Sequence, residues 1–414
     1  MPPPPFRADQ IGSLIRPKYL IEARGELKAG ITDGIFTSFD RSQRGQQAKD
    51  VERKAIAEAL ETQQGNGFTP LTSGEFERDA FWDGFFESLS GMQIRLVTWD
   101  ACRTDLPPNR PMIKFGLKGR DACVATTKIQ HTRSAYLDDW LLIRSLLPKE
   151  RWSDVKMTLP SPTWYSMLLK EGRAYDAGVY DSEEGYLMDV ASALHQEIVI
   201  LYNAGLRMVQ IDDPNLTNFC DQPFLDRCVE EEVDMDALLD LYIATHNRAL
   251  HGLPSDLRIG IHMCRGNYPH GLFAASGGYE KIAAKLFQES NYSLFYLEYD
   301  TDRAGDFTPL KHLPAEKAVV LGLVTTRDAA KTEHVSDLKD QVLRAADIIA
   351  AGQGKTQREA LDENLAVSPQ CGFASGAENT GVGMTIERQW EKLQLLQDLA
   401  RKLWPADVGK GARA

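Results

Sequence analysis

Along most of this chain a short apolar run rich in β-branched residues gives way to a longer amphipathic stretch, and the pair recurs. Runs at 68–72, 154–159, 207–211, 257–261, 293–299, 317–324 and 365–368 read as strands, and an extended segment ending at Ser13 adds an eighth. Helical patterning lies at about 18–29, 42–64, 135–147, 163–172, 183–204, 234–251, 279–289, 335–351 and 385–404. Alternation of this kind requires parallel strands joined by right-handed crossovers. Eight such units match a closed (β/α)8 barrel of the TIM type, an α/β fold. An open doubly wound sheet competes, but no Gly-x-Gly-x-x-Gly turn follows the first strand. Residues 92–130, which include Asp105-Leu-Pro-Pro108, favour β-branched and turn residues and are expected to form an irregular β insertion. One catalytic domain is expected over 1–405, with a disordered tail at 406–414.

Composition narrows the function. The 414 residues carry a net charge of −12 without any basic block, which argues against neutralising a phosphate backbone. No apolar run reaches the ~18 residues needed to span a bilayer. Met1-Pro-Pro-Pro-Pro-Phe6 lacks the basic and apolar regions of a secretory signal. The expectation is a cytoplasmic protein with no nucleic-acid or membrane partner; homo-oligomerisation is left open. The six cysteines are scattered and are expected to be reduced thiols rather than a disulfide framework.

In a barrel, reactive side chains sit where strands end, on the face built from the βα loops. The strand ends here are Ser13, Glu75, Ser161, Asp212, His262 with Cys264, Glu298, Thr325 with Thr326, and Cys371. His262 and Cys264 are two apart, so along a strand they share a face. With Glu298 and Cys371 they would complete a tetrahedral zinc shell of nitrogen, sulfur and oxygen. Two thiolates and a carboxylate leave such a site with a net charge near −1. That suits holding a substrate thiol as thiolate better than activating water. Plainer roles exist for each residue: a packed turn for Cys371, an ion pair with Arg303 for Glu298, loop capping for Ser13, Asp212 and Asp213, and a helix-terminal carboxylate for Glu75. Cys102, Cys123, Cys220 and Cys228 fall at no strand end and read as core.

Seven segments then stand together: Phe6-Arg-Ala-Asp-Gln-Ile-Gly-Ser13, Ser73-Gly-Glu-Phe-Glu-Arg78, Ile211-Asp-Asp-Pro214, His262-Met-Cys-Arg-Gly-Asn267, Leu297-Glu-Tyr-Asp300, Gly322-Leu-Val-Thr-Thr326 and Leu365-Ala-Val-Ser-Pro-Gln-Cys-Gly-Phe373. In this order they resemble the catalytic C-terminal domain of cobalamin-independent methionine synthase, and more closely its short single-domain relatives. The resemblance implies a TIM-type barrel with zinc on His262, Cys264, Glu298 and Cys371. It also implies an amino-acid thiol site using Ser13, Glu75 and Asp212, whose carboxylates suit the ammonium of homocysteine.

Two departures accompany it. The loop after the seventh strand lacks the histidine that methionine synthase carries there; Arg327 occupies that loop, and the next histidine is His334. The N-terminal half that helps hold the folate tail in the full-length enzyme is also missing. The expected reaction is zinc-dependent methyl or alkyl transfer to a homocysteine-like thiol from a donor such as a methylated folate. Arg327 or a water would assist the leaving group. The same site could serve thiol addition to an epoxide or a C–S lyase, and a non-catalytic zinc protein is the remaining alternative.

Overall fold

The computed structural model describes residues 4–24, 45–103, 113, 116–268, 272–376 and 379–407. The far end of the helix expected at 18–29, the tip of the insertion at 104–112 and the tail from 408 lie outside them.

Two strands come first, β1 (Ser90–Thr98) and β2 (Gly119–Gln130), paired antiparallel. Within the 92–130 insertion, expected to be irregular β, an unbroken ladder runs from Met92 opposite Ala125 to Thr98 opposite Gly119, with a register shift just before it. Residues 119–125 are all buried, so the run lacks the alternation that marks a half-exposed strand. Six parallel strands follow: β3 (Met157–Pro160), β4 (Met208–Asp212), β5 (Arg258–Met263), β6 (Leu294–Glu298), β7 (Ala318–Val324) and β8 (Leu365–Pro369). They pair in sequence order. Nearly every residue in them is buried, as expected for parallel strands covered on both faces.

The two N-terminal segments extend this sheet at both ends. Ala8 makes a parallel bridge with Val367 of β8, and Leu71 makes one with Val155, just before β3. The same two segments bond to each other: Leu14 N–H donates to Gly74 O at 3.0 Å and Thr72 Oγ1 donates to Gly12 O at 2.9 Å. Hydrogen bonds thus connect one end of the six-stranded sheet to the other.

Two separate apolar groups fill the structure. The larger lies between sheet and helices, while Phe6, Ile11, Met208, Leu294, Tyr296, Ala318, Val320 and Ala366 form a smaller one. The smaller group draws on the first segment and on β4, β6, β7 and β8, a mark of side chains gathered on the concave side of the sheet. Gly260 leaves room there, since a Cβ would lie 2.7 Å from the Tyr296 ring. A buried ion pair crosses this interior: Lys156 Nζ donates to Asp9 Oδ1 at 2.7 Å, and Tyr296 O–H donates to Asp9 Oδ2 at 2.8 Å.

The helices obey local rules. Ser182 and Asp234 cap Glu183–Asn203 and Met235–Leu250, while Gly354 in the left-handed region ends Val335–Gln353. Sequence periodicity missed Gln222–Glu230 and Gln357–Asn364, two short helices whose few buried residues give little signal. Among the described residues no helix is long and apolar enough to cross a membrane.

Candidate metal centre

β5 ends at Met263 and β8 at Pro369, and their loops carry Cys264 and Cys371. Parallel register places both loops on the C-terminal face of the sheet. His262, Cys264 and Cys371 are buried, and each offers a ligand atom within 4.8 Å of the others. Both ring nitrogens of His262 are buried without a hydrogen-bond partner. Asp212 Oδ1 lies 3.8 Å from His262 Nδ1. Burial, helped by the positive charge of Lys156, pushes the imidazole down to about 3, so it is neutral and ready to ligate.

The Cys371 thiol is shifted the opposite way. Contact with Cys264 first, then burial, then the charges of Glu298 and Asp212, hold the Cys371 thiol well above its ordinary range. Burial and the neighbouring Glu75 carboxylate likewise raise Asp212 well above a normal carboxyl. Acids crowded so closely keep protons that a divalent cation would displace. A neutral imidazole with two unpartnered nitrogens beside two adjacent thiols fits zinc by donor type and burial.

Glu298 stands beside this trio but is held elsewhere. One carboxylate oxygen is ion-paired to the Arg303 guanidinium, and the other accepts the Arg265 backbone N–H at 2.9 Å. Three of the four residues expected to ligate therefore lie together, and the fourth is fully buried in a separate embrace.

The residues expected to bind the amino acid border this trio. Glu75 adopts φ 59°, unusual for a residue with a Cβ, and its Oε1 accepts from Thr158 Oγ1 at 2.6 Å. Its Oε2 is buried without a partner. Asp212 Oδ1 accepts from Gln210 Nε2 at 2.6 Å. Ser13 lies against the Cys371 loop: its carbonyl accepts the Phe373 N–H at 3.0 Å, and a Cβ on Gly372 would sit 1.9 Å from Ser13 Oγ. Gly372→Ala is accordingly expected to cost about 1–3 kcal/mol through overpacking. A lowered Tm together with reduced metal stoichiometry would register it.

Arg327 is half-buried, its guanidinium 5.3 Å from the Phe273 ring centre. Sequence reasoning passed over Asn267 and Gln370, which tie the two cysteine loops together. Gln370 Nε2 donates to Asn267 Oδ1 at 3.0 Å, and Gln370 Oε1 accepts from Thr326 Oγ1 at 2.8 Å. Asn267 Nδ2 donates in turn to Thr326 Oγ1 at 3.1 Å. Their proximity to Cys264 and Cys371 within the quoted segments was the available signal.

The imidazole also sets a pH dependence. Its folded value, near 3, lies below the unfolded value of about 6.5, so between these pH values the unfolded chain binds the proton and the folded one does not. Stability of the metal-free protein should therefore fall as pH drops from about 6.5 toward 3, by up to about 1.4 kcal/mol per pH unit from this one group. Urea titrations across that range should show a shallower slope in His262→Gln; equal slopes in both proteins would contradict the assignment.

The family described as "Cobalamin-independent synthase, Catalytic domain" matches residues 179–385. The uncharacterized protein YxjH of Bacillus subtilis (strain 168) is 31% identical over 401 residues, spanning 97% of this chain and 95% of its own. The methionine synthase of Pyrococcus furiosus is 21% identical over 294 residues, 71% of each chain. A solved structure of a B12-independent methionine synthase from Shewanella sp. W3-18-1, in complex with selenomethionine, superposes with TM-score 0.66 at 20% identity. The match covers 96% of this chain and 97% of that one, and shows a shared fold.

Proposed function

Since this chain belongs to the cobalamin-independent methionine synthase family, we propose that it transfers a methyl or other alkyl group to the sulfur of a homocysteine-like thiol, using zinc. The observation that carries the proposal is the buried trio of His262, Cys264 and Cys371, with ligand atoms within 4.8 Å and both imidazole nitrogens unpartnered. Zinc bound there would lower the pKa of a substrate thiol and keep its sulfur nucleophilic at neutral pH. Glu298 is the fourth ligand in this reading.

The chain's own residues supply the rest. Glu75, with a buried free oxygen, and Asp212 bind the substrate ammonium, while Ser13 and nearby backbone N–H groups bind its carboxylate. Fixing both ends of the amino acid aims its sulfur at the trio. A new S–C bond then forms as the bond from that carbon to the donor breaks, with the electron pair leaving on the donor. Arg327 or a water stabilises or protonates the leaving group. The bonds that join the two outer strands of the sheet through residues 8 and 71 support a closed (β/α)8 barrel, whose C-terminal mouth would hold all of these groups.

X-ray absorption at the zinc edge, with and without homocysteine, tests the proposal. A bound thiol should appear as an added sulfur ligand. An unchanged edge at saturating thiol would overturn it.

A further inference from the structure

Glu298 is fully buried, and both of its oxygens are engaged: one by the Arg303 guanidinium, the other by the Arg265 backbone N–H at 2.9 Å. It is close enough to the trio for its charge to act on Cys371, yet its carboxylate faces a cation rather than the imidazole and thiols. Arg303 itself is braced. Its side chain is 10% exposed, and the guanidinium lies 4.6 Å from the centre of the Phe273 ring. Phe273 follows β5 and Arg303 follows β6, so two adjacent loops build the brace.

We infer that Arg303 is a positioning residue that offers Glu298 a second partner, holding its carboxylate clear of the His262, Cys264 and Cys371 trio and leaving room beside them for a thiol. This rests on the thiol-activating reading above. The physical reason is the cost of a lone buried charge. A carboxylate that withdraws from a metal inside a protein must find another cation or resist withdrawing. Arg303 supplies that cation within the same buried space, so one anionic ligand can replace another without stranding charge. Lysine would serve less well, because the planar guanidinium can pair with the carboxylate and stack on Phe273 at once.

Removing Arg303 should therefore tie Glu298 to the metal. In Arg303→Met, zinc affinity by chelator competition should tighten and homocysteine affinity for the zinc-loaded protein should weaken, each by about tenfold. Phe273→Ala, a half-exposed position that does not threaten folding, should shift both constants the same way by less. Adding Glu298→Gln to Arg303→Met should restore homocysteine binding, because no carboxylate remains to occupy the position. Zinc and homocysteine constants unchanged in both Arg303→Met and Phe273→Ala would overturn the role of Arg303 alone. A wild-type protein that binds zinc without gaining a sulfur ligand from homocysteine would instead overturn the thiol-activating reading itself.

Discussion

Cys371→Ala is expected to abolish stoichiometric zinc binding and, with it, thiol alkylation. Cys371 is the member of the trio contributed by the loop after β8, the others coming from β5 and its loop. Without it, the proposed shell loses one of its two thiolates and keeps only His262, Cys264 and a Glu298 that is already ion-paired to Arg303. The loss should exceed the roughly 10–100-fold that follows removal of residues supporting a ligand. Inductively coupled plasma measurements on dialysed protein read it directly, and near full zinc in the variant would refute this ligand set. Cys123→Ala is the control, since that thiol is buried away from any strand end of the sheet and its burial holds it well above the ordinary range. Its removal should cost packing energy but no metal.

The second large effect is on stability. Lys156 and Asp9 are almost wholly buried, at 0% and 1% side-chain exposure. Burial drives the pair toward neutrality from both sides, raising Asp9 and lowering Lys156. Lys156→Met leaves Asp9 with the Tyr296 hydroxyl and the Gln10 N–H but no counter-charge. Stranding one partner of a buried pair costs about 3–5 kcal/mol. The pH dependence has a definite sign. A carboxyl whose folded pKa is raised holds its proton in the folded state after the unfolded chain has lost it, so the variant should recover stability as pH falls toward the unfolded value. The deficit should thus be largest at neutral pH in urea titrations. Adding Asp9→Asn should return much of it, and a double variant no better than Lys156→Met would show that charge is not the cause.

Much of the sheet was legible because parallel strands buried on both faces carry a signal that needs no neighbour: Ala318–Val324 is apolar throughout, β4 ends at Asp212, and His262 is the penultimate residue of β5. The first two segments were legible mainly through their motifs, since each is bridged to the sheet at one residue, Ala8 or Leu71, rather than along a run of paired residues. The β character of residues 92–130 was legible, but the regularity of the ladder between Met92–Thr98 and Gly119–Ala125 was not. Its inner strand is buried by the loop and helix after β3, as where the Ala125 N–H donates to Ala174 O at 2.9 Å, and no local pattern announces a distant cover.

The same division holds for the candidate site. By itself the sequence determined its chemical inventory: a His-x-Cys pair, a distant Cys-Gly, and acids at the ends of strands, because residue type and strand periodicity are local properties. Only the tertiary structure decided distances and partners. It set His262 beside two thiols with both nitrogens free of hydrogen bonds, Asp212 within 3.8 Å of that ring, and Glu298 in an ion pair with Arg303. Those outcomes depend on how loops after β5, β6 and β8 meet in three dimensions. Local spacing fixes which groups can reach the mouth, while packing and the cost of unpaired buried charge fix whom each one faces.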